Sequence, residues 1–130
     1  ADRSIGFAYA WVQRFGDDDE VWETHDFDPD EVLIGNFTSG AALFRRDDWI
    51  SAGGYRGEMI GGFEDWEFWV RLASLGRRGR TIARPLHLHR IHGRTMTATA
   101  KAMGAELTGR MRRLNPQFYD DRRFRRRLRA

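Results

Sequence analysis

The chain has 130 residues, 41% of them hydrophobic and 13% aromatic, enough for one packed domain and too apolar for wholesale disorder. It contains no cysteine, so a disulfide framework, thiolate catalysis and cysteine-ligated zinc are excluded, and a reducing compartment is expected. The net charge of +3 conceals an asymmetry: residues 1–67 carry 16 acidic and 5 basic side chains, residues 68–130 carry 3 and 17, and 21 of the 22 basic residues are Arg.

In chain order, Ile5 to Phe15 (IGFAYAWVQRF) is aromatic and β-prone and reads as a strand. Residues 16–20 form an acidic turn, Val21 to Thr24 a short return strand, and 26–30 a polar loop holding Pro29, with a brief helix from Asp30 to Ile34. Ser39 to Phe44 reads as a buried strand of small residues. Arg45 to Ala52 reads as a two-turn helix with Trp49 and Ile50 facing inward, stopped by Gly53-Gly54. The clearest helix runs from Asp65 to Leu75: Phe68, Leu72 and Leu75 recur at helical spacing, Glu67 and Arg71 form an i,i+4 pair, and Gly76 ends it. Arg80 to Ala83 and Leu86 to Ile91 read as two strands separated by Pro85. A helix is expected over Ala98 to Leu114, then Pro116 and an Arg-dense end. The pattern is mixed α and β with a helical tail and no internal repeat. No apolar run reaches the length of a membrane span, and the first residues lack the charged-then-apolar pattern of a signal peptide. Asn36-Phe37-Thr38 matches the glycosylation triplet, a pattern short enough to arise by chance.

The most informative stretch is Gly-Gly-Phe-Glu-Asp-Trp-Glu-Phe-Trp, residues 61–69. Glu64 and Asp65 follow a flexible glycine pair where the helix begins. An ionised carboxylate there can take a proton from a substrate hydroxyl. Equally, Asp65 can serve as a helix cap at the positive end of the dipole. The aromatics around it, Trp49, Tyr55, Phe63, Trp66 and Trp69, can stack on sugar rings or fill a core; Trp66 is assigned to the site margin and Trp69 to the core. His87, His89 and His92 cluster in sequence, yet strand alternation sets the first two on one face and His92 on the other. Arg favours bidentate contact with carboxylate and phosphate, so the second half either pairs with the acidic first half or faces an anionic partner.

From about Phe7 to Met96 the order of signals resembles the C-terminal half of a family 2 glycosyltransferase catalytic domain of the GT-A type. The resemblance rests on Asn36 ahead of a small-residue strand, LFRRDDWISAGGY at 43–55, GGFEDWEFWVRLASLG at 61–76 and PLHLHRIHGRTM at 85–96. It implies a partial GT-A domain of α/β class, with residues 1–97 as the acceptor-binding, base-carrying part and 98–130 as an Arg-rich helical tail. It also implies an inverting, metal-dependent transfer in which Asp65 is the general base and Glu64 bonds the acceptor or holds the loop. Trp66, Gly62 and Tyr55 become the acceptor-binding residues, and His92, in Arg-Ile-His-Gly-Arg, the residue that helps hold the metal or the diphosphate. The implied cofactor is a divalent cation, Mn or Mg, and the implied partners are a nucleotide-sugar donor and a carbohydrate or lipid-linked acceptor.

The family's N-terminal half, with its Asp-x-Asp metal motif, has no counterpart in the sequence. Asp17-Asp18-Asp19 is read as a turn, because that motif precedes the segment that Ile5 to Phe15 resembles. The expectation is therefore a fragment, inactive alone and prone to homo-oligomerise, cytoplasmic and peripheral at the inner face of the membrane through nine arginines between Arg110 and Arg129. The alternative is a non-catalytic Arg-rich module that binds nucleic acid or an anionic surface. A third reading, a zinc hydrolase, requires His87, His89 and His92 to converge.

Overall fold

The computed structural model describes residues 2–93 and 96–119. The central element is β1, Ile5–Gly16, flanked on one side by the antiparallel strands β2, Val21–Trp22, and β3, Ala42–Phe44. On its other side β4, Arg78–Ile91, runs parallel. Five helices accompany the sheet among the described residues: α1 Arg46–Ala52, α2 Glu64–Ser74, α3 Met96–Ala102, α4 Gly104–Leu114 and α5 Pro116–Tyr119. The architecture is mixed α/β.

The core forms where α2 lies against β1 and β3. Phe7 stacks on Trp69 at 4.6 Å, and Phe68 meets Phe44, Trp49 and Tyr55 edge-on. Residues Trp66 through Leu72 are all buried, so α2 is enclosed on every side and lacks the single apolar stripe of a surface helix. Gly79 on β4 makes that packing feasible: a Cβ there would sit 2.5 Å from the Phe7 ring and 2.7 Å from that of Tyr9. At the other end α2 is entered from Gly61 and Gly62, both at positive φ, and from Phe63 at φ 62°, a left-handed residue held by its surroundings.

One turn along α2, Glu67 is wholly buried. Arg71 Nε donates to both of its oxygens at 2.9 Å, Arg56 Nη1 lies 3.2 Å from Oε1, and Asn115 Nδ2 donates to Oε1 at 3.0 Å. Arg71 also donates to the carbonyls of Ala52 and Gly54, and Arg56 to that of Leu114. The i,i+4 pair expected from the sequence is the centre of a buried network that ties α2 to the turn after α1 and to the α4–α5 junction. Met111 and Tyr119 join the hydrophobic core beside it, so the segment from 98 to 119 is packed against the sheet-bearing part. The Arg-dense end from residue 120 lies outside the described residues, as do Arg94 and Thr95.

Several sequence expectations change. Ser39 to Ala41 are not in β3, and β3 is not buried throughout: Leu43 is 81% exposed, because only Ala42 and Phe44 turn toward α2. Ile50 is 62% exposed, whereas Trp49 packs on Phe44 and Phe68 as expected. The helix from Asp30 to Ile34 contracts to a 3-10 turn, Glu31–Leu33. The two strands flanking Pro85 are one strand, β4, whose register against β1 shifts around Pro85. Pro85 is tolerated because β4 pairs only with β1 among the described residues, so a missing N–H on the outer edge breaks no ladder bond. The expected helix over 98–114 begins earlier and breaks at Met103, and Pro116 starts α5, at the first helical position where its missing N–H is harmless.

Candidate functional site

An open cleft of about 940 Å³ lies beside the start of α2. One wall is the acid pair Glu64 and Asp65 with Phe63, Trp66 and Tyr55; the floor is the segment Asn36 to Ala41; the far wall is the end of the sheet, with Arg14, Trp22, His87 and His89.

Asp65 is half-buried and faces this cleft. Its Oδ1 accepts the backbone N–H of Trp66 at 2.7 Å, while Oδ2 has only a long contact from the Asn36 amide at 3.5 Å. Gly40 lies so close that a Cβ on it would come within 2.8 Å of Oδ2. Among the described residues no cation pairs with Asp65. Burial raises its carboxyl above the usual carboxylate range, the Trp66 N–H opposes that, and the charge of Glu64 adds to it. Such an acid is a better base than a solvated carboxylate. The capping reading does not describe it: Phe63 is the N-cap residue of α2 and makes no side-chain cap.

Tyr55 is 43% exposed, wedged edge-on between Trp49 and Phe68, and lines the same cleft. Burial and then the charges of Asp65 and Glu64 raise its pKa, so it stays a protonated donor. Trp66 combines both roles weighed for it: the ring is buried, its Nε1 donates to the Val32 carbonyl at 2.6 Å, and one edge lines the cleft. Trp69 is entirely core. Gly62 is placed differently from the expectation of acceptor contact. It is buried outside the main cleft, and a Cβ on it would collide with that of Ala100 at 2.6 Å, so its smallness serves the docking of α3.

The histidines separate. His87 and His89 face the cleft with ring centroids 6.1 Å apart, whereas His92 is exposed past the end of β4 and does not line it. The resemblance assigned His92 to the metal or diphosphate; the end of the strand at Ile91 carries it away. Burial and the neighbouring His89 lower the pKa of His87, leaving it neutral near pH 7. Its Nδ1 lies 3.3 Å from Ser39 Oγ, and either atom can be the donor. Among the described residues no three His, Asp or Glu side chains converge as metal ligands. The three-histidine zinc site is therefore not assembled among the described residues. Asp17-Asp18-Asp19 is a turn, as expected, with Asp18 paired to Arg14 at 2.9 Å and Asp17 bonded to the N–H of Gly93.

Sequence reasoning missed Ser39, Gly40, Arg14 and Lys101, all at the cleft. For Ser39 and Gly40 the signal was present in the small residues before β3; Arg14 and Lys101 carry none, because only folding brings them to the acid pair. No family model matches this chain, and neither a curated protein nor a solved structure matches it. Among the described residues, no helix is long and apolar enough to cross a membrane.

Proposed function

We propose that this chain is the acceptor-binding, base-carrying half of an inverting glycosyltransferase of GT-A type. The observation that carries the reading is Asp65: a carboxylate at a helix start, open to a cleft, with one oxygen bonded and the other nearly free. In the proposed step the acceptor hydroxyl gives its proton to Asp65 Oδ2 as its oxygen bonds to the anomeric carbon of the donor sugar. The bond from that carbon to the diphosphate oxygen breaks, the electron pair leaves with the nucleoside diphosphate, and the configuration inverts. Tyr55 and the edge of Trp66 flank the acceptor ring, and Glu64 binds a second hydroxyl. A divalent cation would stabilise the leaving diphosphate in such an enzyme. The described residues do not assemble its site, so the reading assigns that group and the nucleotide to the other half of the enzyme.

Four of the seventeen basic residues of the second half, Arg71, Arg77, Arg80 and Arg110, pair with acids of their own fold, Glu67, Asp48, Asp26 and Glu106. A binding module also has no use for a cation-free acid in a cleft. The test is transfer by the intact enzyme carrying Asp65→Asn. Loss of transfer with donor nucleotide binding unchanged is expected, and transfer at a comparable rate rejects the assignment. For the 130-residue chain alone, calorimetry should find weak or no binding of nucleotide-sugars; micromolar binding would reject the division into halves.

A further inference from the structure

The loop that delivers the acid pair holds little of itself in place. From Gly57 to Gly61 only Met59 is buried; Ile60 is 79% exposed, and Gly61 and Gly62 take positive φ. Phe63 follows at φ 62°, a conformation that a residue with a β-carbon keeps only where its neighbours impose it. The body of α2 does not supply that constraint, because the Glu67 network and the Phe68 and Trp69 contacts lie beyond the acids.

The constraint comes from α3 and α4. Arg110 Nη1 donates to the carbonyl of Glu58 at 2.8 Å and to that of Ile60 at 3.0 Å. Its Nη2 donates to Glu106 Oε1 at 2.6 Å, which fixes the guanidinium one helical turn away. Leu107, wholly buried, stands where a Cβ on Gly61 or Gly62 would meet it at 3.8 or 3.7 Å. Ala100 on α3 is closer still to Gly62, 2.6 Å from the Cβ that glycine lacks. The next residue, Lys101, lines the cleft, so the element that presses on the loop is also part of the cleft wall.

We propose that Arg110, with Leu107 and Ala100, positions the acid pair: they clamp the loop at 58–62 from outside, and the clamped loop aims Asp65 into the cleft. None of the three lines the cleft, so they act through the loop and not on a substrate. The consequence for transfer rests on the reading of Asp65 as the base; the consequence for the carboxyl itself does not.

Asp65 reports the clamp. Burial is the first cause of its raised pKa, so a loosened loop that lets water reach the carboxyl brings the pKa down toward the ordinary carboxylate value. Loss of the Arg110 charge alone acts in the opposite sense, because removing a cation disfavours the carboxylate. Release of the loop and loss of a charge therefore differ in sign.

Carboxyl-detected NMR titration of the 130-residue chain, with the Asp65 signal assigned by its loss in Asp65→Asn, tests this. The Asp65 pKa should fall in Arg110→Gln and in Ala100→Leu, which pushes α3 off Gly62, and should hold in Arg113→Gln, an exposed charge control on the same helix. Thermal unfolding checks that the variants fold, and Arg110→Gln, at a partly exposed position, carries the test if Ala100→Leu unfolds. In the intact enzyme Arg110→Gln should lower kcat by roughly tenfold to a hundredfold and leave the donor KM within about twofold. An Asp65 pKa that stays or rises in Arg110→Gln, or falls equally in Arg113→Gln, overturns the clamp. A fall in the Asp65 pKa with transfer unchanged upholds the clamp and rejects Asp65 as the base instead.

Discussion

Asp65 and Glu67 sit two residues apart on the same helix and have opposite environments. Glu67 is wholly buried and surrounded by Arg71, Arg56 and Asn115, so each oxygen is matched. Asp65 is partly buried and has no cation partner among the described residues. The fold treats the first as structure: remove it, and two arginines lose the charge they were desolvated for. It leaves the second under-satisfied at a cleft, which is how a reactive carboxylate is kept available. Helical geometry separates them: two residues on α2 are 200° apart, so one acid turns to the α4–α5 junction and the other to the cleft.

The largest test of the contrast is Glu67→Ala. Leaving Arg71 and Arg56 without their acid should cost about 3–5 kcal/mol, a large share of the stability of a domain this size, measured by urea unfolding. Asp65→Asn should do the reverse: transfer by the intact enzyme falls by about 10²–10⁴-fold, while the melting temperature holds or rises. The sign follows from linkage. Because folding raises the Asp65 pKa, its stabilising share is present below the unfolded carboxylate value and is lost as pH rises through the folded one. The stability of wild type should therefore drop relative to Asp65→Asn as pH rises above about 4; equal pH profiles would mean Asp65 is not desolvated. The rate of transfer should climb with pH over the same limb.

Gly40→Ala pushes a methyl to within 2.8 Å of the Asp65 carboxylate. It should reduce transfer by roughly tenfold with about 1 kcal/mol or less lost in stability, since the floor segment is open on the cleft side. The smallest change is Tyr55→Phe: the ring keeps its contacts with Trp49 and Phe68, and the acceptor KM should rise a few-fold, about 1 kcal/mol for one hydrogen bond. A fall in stability beyond that would show that the hydroxyl serves the fold.

Much of this was legible in the residues. β1 and α2 were visible because their signals are local: a β-prone aromatic run, and apolar residues at helical spacing ended by Gly76. The acid pair was legible for the same reason, being contiguous. What failed was whatever depends on neighbours distant in sequence. Pro85 suggested a gap because the sequence does not show that β4 has a free edge. Leu43 and Ile50 look like core residues, and exposure follows only from which side of β3 and α1 meets α2. His92 matched a motif, but its place depended on where β4 stops.

The sequence by itself determined a cysteine-free α/β chain with an acid pair set at the start of an aromatic helix, because composition, helix periodicity and glycine breaks act over a few residues. Only the tertiary structure decided which acid is neutralised and which stays open, since that rests on Arg56, Asn115, Gly40 and Asn36 arriving from 11 to 48 positions away, brought there by packing.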